Sequence, residues 1–117
     1  MKDKEYKVVF QLSSNDEQVC KSLLKQIGNV TKELSEIKME IVTHGPGIEL
    51  LLLNTRFINL LEEKANRGVR FLVCRNTLIE KAITASEIIS VAEIIPSGIA
   101  HLIVRQSEGW SYIKAGF

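Results

Sequence analysis

Cys74 closes the run Gly68-Val69-Arg70-Phe71-Leu72-Val73 and is followed at once by Arg75-Asn76-Thr77-Leu78. The apolar, β-branched residues before it read as a buried strand, and Leu78, Ile79, Ala82 and Ile83 after it recur at helical spacing. A thiol in that order sits where a parallel strand ends and a helix begins. The free N–H groups and partial positive charge of a helix start favour a thiolate. The sulfur can then ionise below its free value of about 8.5 and act as a nucleophile. The plainer alternative is a small buried hydrophobe that finishes the strand, a common fate of free cysteine.

A second group with chemical potential lies in Thr43-His44-Gly45-Pro46-Gly47. Two glycines and a proline allow a tight loop in which backbone can approach a ligand closely. His44 at that point is a candidate acid, base or hydrogen-bond donor, or else a brace for the loop. Asn76 and Ser97, each just past a strand, complete the candidates. Cys20 falls on the apolar stripe of a helix and reads as core. Cys20, Cys74, His44 and His101 could supply four zinc ligands, but none of the short paired spacings of a structural zinc site is present. The glycine loop matches neither a P-loop nor the G-x-G-x-x-G of dinucleotide sites. No metal or cofactor is expected.

These residues need a scaffold, and the chain supplies one in order. Tyr6 to Leu12 is a strand, and Ser14 with Glu17 fits a capping box at the start of a helix. Val19, Cys20, Leu23, Leu24, Ile27 and Leu34 form that helix's apolar stripe. Met39 to Thr43 is a second strand. Ile48 to Leu53 is too short to assign by period, and reads as either a buried edge or part of a contact between subunits. Arg56 to Arg67 is an amphipathic helix stopped by Gly68. After the Cys74 strand and its helix, Ala85 to Ser90 reads as a turn or short helical segment. A fourth strand runs from Val91 to Ile95, a short helix begins at Ile99, and a last strand follows at Trp110 to Ile113. The alternation predicts an α/β fold: a three-layer α/β/α sandwich with a mainly parallel five-stranded sheet, as one domain over residues 1–117. Ligands bind such sheets outside the carboxyl ends of the strands. Ser13 to Asn15, His44 to Gly47, Cys74 to Asn76, and Ser97 all fall on that rim.

Composition narrows the partners. The net charge of +1 gives no global case for nucleic acid or an anionic membrane, and Trp110 and Tyr112 without a basic patch do not make a base-stacking platform. No apolar run approaches the ~20 residues that span a bilayer. The mixed-charge start Met1-Lys2-Asp3-Lys4-Glu5 is unlike a leader. A cytoplasmic protein is expected, and two cysteines do not there form a disulfide framework.

The strand Tyr-Lys-Val-Val-Phe-Gln-Leu, the Thr43-to-Gly47 loop and Cys74-x-Asn76-Thr77-Leu78 resemble the DsrE/DsrF-like family, also described as the YchN-like fold. Pro96-Ser97-Gly98 and Gly109-Trp110-x-Tyr112-Ile113-Lys114 extend the resemblance over nearly the whole chain. It implies a three-layer domain with five strands that assembles as a homo-oligomer. Some members relay sulfur as a persulfide on a cysteine after the third strand, the position of Cys74. The resemblance therefore implies a sulfur-relay protein or sulfurtransferase, with sulfur donor and acceptor proteins as partners. Cys74 would be the carrier, and His44, Gly45, Gly47, Asn76 and Ser97 would surround it. The alternative is a non-catalytic module of the same fold, binding a small ligand or protein, with a structural Cys74. A hydrolase built on Cys74 and His44 lacks an acidic orienter in any recognisable motif.

Overall fold

The computed structural model describes residues 5–116. Five strands, β1 (Tyr6–Leu12), β2 (Ile37–Thr43), β3 (Arg70–Cys74), β4 (Ala92–Ile95) and β5 (Ser111–Lys114), form one sheet in the order β4-β3-β2-β1-β5. Every pairing is parallel, where a mainly parallel sheet was expected. Four α-helices connect them: α1 (Glu17–Glu33), α2 (Ile58–Asn66), α3 (Arg75–Glu80) and α4 (Gly98–Ser107).

The strand order dictates the layers. Steps from β1 to β2, β3 and β4 run in one direction, so right-handed crossovers place α1, α2 and α3 on one face. The return from β4 to β5 passes back across the sheet and puts α4 on the other face. The alternation of each strand agrees. Val8, Phe10, Leu12, Met39, Ile41, Phe71 and Val73 join Leu23, Leu24, Ile27 and Leu61 in the larger core. Val9, Val42 and Leu72, one residue out of phase, meet Leu102 of α4 in a smaller one. Each fully buried side chain of this size contributes on the order of 1.5–3 kcal/mol. Most of the apolar stabilisation therefore lies under α1 and α2, and α4 rests on a thin apolar seat.

Two local expectations change. Helix α1 begins later than the Ser14–Glu17 pattern implies. Asp16 is its N-cap, with Oδ1 accepting from Gln18 N at 2.8 Å and Val19 N at 3.2 Å. Ser14 instead accepts from Asp16 N, so it braces the cap rather than forming it. The unassigned apolar stretch is a 3₁₀ turn, Gly45–Leu51, and Ile48, Leu50 and Leu51 are core residues. Only Leu53 beyond it is well exposed. This segment is the buried alternative, and it gives no support to a subunit contact. The turn hugs β1 so closely that a Cβ on Gly47 would fall 2.2 Å from the Leu12 carbonyl oxygen, which only glycine avoids. Among the described residues, no helix is long and apolar enough to cross a membrane.

Candidate functional site

Period-2 alternation decides where the thiol points. Arg70, Leu72 and Cys74 share one side of β3 while Phe71 and Val73 take the other, so Cys74 faces α4. Two helix starts meet there. Cys74 is the residue before α3, and α4 opens with Gly98 directly above it. A Cβ on Gly98 would lie 3.4 Å from Cβ of both Cys74 and His44, and 3.2 Å from Val42 Cγ1. Glycine therefore brings the α4 backbone against both site residues. Cys74 is only 5% exposed, so the sulfur is nearly covered rather than displayed on an open rim.

Burial opposes ionisation of Cys74 and is the largest single influence on it. Against it stand hydrogen-bonding contributions from the Gly98, Thr77 and Asn76 backbone and from the Thr77 hydroxyl. Together they outweigh burial and hold the thiol below its ordinary value. Arg75, the cation next in sequence, is exposed and is not among these groups. Hydrogen bonds do the work instead.

In the sequence Thr77 shows only as part of the Cys74-x-Asn76-Thr77-Leu78 run, since a threonine in the first turn of a helix marks no chemistry by itself. It is buried, and its Oγ1 accepts from Gly45 N at 3.0 Å while the same hydroxyl helps to lower the Cys74 pKa. One hydroxyl thus couples the glycine loop to the thiolate. Thr77→Val keeps the shape and removes that bond. Since a hydrogen bond to a charged group contributes about 1.5–3 kcal/mol, Cys74 alkylation near neutral pH should slow about tenfold, with Thr77→Ser close to native. A rate–pH profile unchanged in Thr77→Val would remove the hydroxyl from the site.

His44 follows β2 and is half-buried; burial pushes its pKa down. The Tyr112 hydroxyl of β5 donates to Gln11 Oε1 of β1, and Gln11 Nε2 lies 2.8 Å from His44 Nε2. With the amide turned this way, His44 Nε2 accepts and the imidazole proton sits on Nδ1. Burial thus favours the neutral imidazole at His44 over the cation that would lower the thiol's pKa by charge. Gln11 and Tyr112 fall in the first and last family-like runs, but only the β5-β1-β2 adjacency joins them to His44.

The other rim residues are engaged within the fold. Gly47 N donates to the His44 carbonyl at 3.0 Å, and the Ser97 hydroxyl caps α4 by accepting from Ala100 N at 3.2 Å. Asn76 is exposed and contributes its N–H. On the opposite side of the sheet, Cys20 is 4% exposed; burial first, then the Asp16 and Glu49 carboxylates, push its thiol up. Both cysteines are free, and among the described residues no group of three or more His, Cys, Asp or Glu side chains is placed to hold a metal ion.

A second polar cluster, marked by no sequence motif, lies on the α4 face. Glu40, in the middle of β2, is 1% exposed. Its Oε1 accepts from His101 Nε2 at 2.7 Å and Arg105 Nε at 2.9 Å, and its Oε2 from Arg70 at 2.6 Å and Arg105 at 2.8 Å. Burial raises its pKa, but these bonds and charges prevail and hold it below the usual carboxylate range. Arg70 also pairs with Glu93, and Arg105 with Glu108 while stacking 4.6 Å from the centre of the Trp110 ring.

The model of the DsrE/DsrF-like family matches residues 7–115. Among solved structures, the chain is similar to MTH1491 of Methanobacterium thermoautotrophicum, a protein of unknown function. That match has 29% identity and a TM-score of 0.91, over 93% of this chain and 98% of the other. BT1422 of Bacteroides thetaiotaomicron, a conserved protein of unknown function, matches at 17% identity and a TM-score of 0.71, over 92% and 93% of the two chains. The YchN protein of E. coli shares the fold at 12% identity and a TM-score of 0.73, over 95% and 99%. No curated protein matches the chain.

Proposed function

The chain belongs to the DsrE/DsrF-like family, and from that premise we propose that it carries sulfur as a persulfide on Cys74, between a donor and an acceptor protein of the cytoplasm. The observation that carries this reading is the position of Cys74 between the start of α3 and Gly98 of α4, where its thiol is held below the ordinary value despite burial. The thiolate attacks the outer sulfur of a donor persulfide. A new S–S bond forms as the donor's S–S bond breaks, and the bonding pair leaves with the donor thiolate, which takes up a proton. An acceptor thiolate then attacks the outer sulfur of the Cys74 persulfide in the same way, with no net oxidation. In this reading His44 Nδ1–H and Asn76 hydrogen-bond the outer sulfur, while Gly45, Gly47 and Ser97 shape the loops around it. A nearly covered thiol suits transfer of a single atom, since only that atom must reach it.

The same burial favours the second reading, a binding module in which Cys74 only closes the strand. Incubating the native protein with a persulfide donor separates the two. The carrier gains the mass of one sulfur atom at Cys74 and loses it to an added thiol acceptor. A protein that gains none, or gains it equally on Cys20, is not this carrier.

The homo-oligomer implied by the family resemblance belongs to this proposal too. Ile99, Ile103 and Val104 on α4 are exposed apolar residues on the described chain, and a surface of that kind favours association. Sedimentation at micromolar concentration should show a species larger than the 13.2 kDa chain. A 13.2 kDa species alone would remove the oligomer from the proposal.

A further inference from the structure

We infer that Glu40 is a positioning residue for Cys74, clamping α4 onto the sheet so that the Gly98 N–H is held against the sulfur. The inference rests on the reading of Cys74 as a working thiolate. Its basis is where the clamp grips. His101 and Arg105, both on α4, reach Glu40 with bonds of 2.7 to 2.9 Å, and Arg70 holds the same carboxylate from β3, the strand that ends in Cys74. At 1.5 Å per residue, these grips fall within about 10 Å of helix from Gly98. One buried carboxylate therefore ties the helix that donates to the sulfur to the strand that carries it.

A neutral, apolar contact would hold α4 at lower cost, because taking a charge out of water is unfavourable until its partners compensate. Apolar packing under α4 is thin: Val9, Val42, Leu72 and Leu102 are its buried members. Apolar contacts also tolerate sliding. A carboxylate with charged, directional donors fixes the register of the helix, and an N–H bond to sulfur requires register. The charged and titratable groups around Glu40 are Arg70 on β3, with Glu93 of β4 behind it, and His101 and Arg105 on α4, with Glu108 behind Arg105; Lys7 of β1, Lys38 of β2 and Arg67 line the same cavity.

The test turns on a sign. Glu40→Gln removes a negative charge from the face that holds the Cys74 thiolate, and charge alone would make the thiolate easier to form and alkylation faster. Loss of the clamp acts the other way, because Gly98 withdraws its N–H. The expected result is that Cys74 alkylation at pH 7 slows about threefold or more and its rate–pH midpoint rises. Glu40→Asp keeps the charge but falls one methylene short, and it should slow alkylation as well, which covers the case in which Glu40→Gln does not fold. Leu61→Ala, in the core under α2, is the control for general loosening and should leave the midpoint in place. Alkylation that is unchanged or faster in the Glu40 variants, or equally slowed in Leu61→Ala, overturns the clamp. Alkylation needs no sulfur transfer, so the two readings fail separately. Native protein that takes no sulfur removes the carrier, while variants that alkylate like a sulfur-loading native protein remove only the clamp.

Discussion

Cys74→Ser should abolish sulfur loading from a persulfide donor, while Cys20→Ala should leave loading nearly native. The two thiols lie on opposite faces of one sheet in opposite surroundings. Cys74 is buried, but donors from two helix starts and the Thr77 hydroxyl favour its ionised form. A serine there keeps the donors and loses the atom that forms the S–S bond. Cys20 is buried too, and its neighbours Asp16 and Glu49 carry negative charge that makes ionisation harder still. A neutral thiol is a poor nucleophile, so Cys20 does not compete. Its removal should cost about 1 kcal/mol through a small cavity in the larger core, visible in thermal unfolding and absent from the loading assay. Equal loading of both cysteines in the native protein would refute the assignment.

Glu40→Ala should destabilise the fold by about 1.5–3 kcal/mol, the range for charge-assisted hydrogen bonds. It removes the one buried member of the network, while Arg70, 45% exposed, stays solvated and paired with Glu93. Arg105, whose pKa is raised chiefly by its bond to Glu40, loses that partner and keeps Glu108. For a chain of this length the melting temperature should fall on the order of 5 to 15 °C. Combining Glu40→Leu with Arg105→Leu should recover most of the loss, because no unpaired charge then remains beneath α4. A melting temperature within a few degrees of native for Glu40→Ala would show that the network contributes little.

The pH dependence follows from the same carboxylate. Glu40 and Glu93 are both held below the ordinary carboxylate range, Glu93 first through its bond to Arg70. A depressed pKa means that the folded state binds fewer protons. The stabilisation is therefore present above the unfolded value of about 4.3 and is lost as the pH falls through the lower folded value. Native protein should lose stability steeply below about pH 4. Glu40→Gln should start lower at neutral pH and show a shallower acid limb, measurable by denaturant unfolding across pH.

Much of this molecule was legible in the residues themselves. Period-2 runs and helical stripes are local patterns, so the alternation of strands and helices, the parallel sheet and the rim at the strand ends could be read before any coordinates. The family resemblance rested on the same kind of local run, and the match over residues 7–115 agrees with it. A thiol between a strand and a helix start is likewise a local arrangement, which is why Cys74 stood out and Cys20 read as core. Tertiary structure decided what lies far apart in the chain. The Gly98 N–H reaches Cys74 only because the β4-to-β5 return lays α4 across the other face of the sheet. Gln11 and Tyr112 meet His44 only because β5 joins the edge beside β1. Glu40, one charged residue in an apolar strand, gave no sign that Arg70, His101 and Arg105 would converge on it. The apolar Ile48 to Leu53 stretch could not reveal whether it faced core or solvent, since period is unreadable over six residues. Local sequence fixes conformation through sterics and solvent preference, whereas the electrostatics of a site depend on which groups the fold brings within hydrogen-bonding distance.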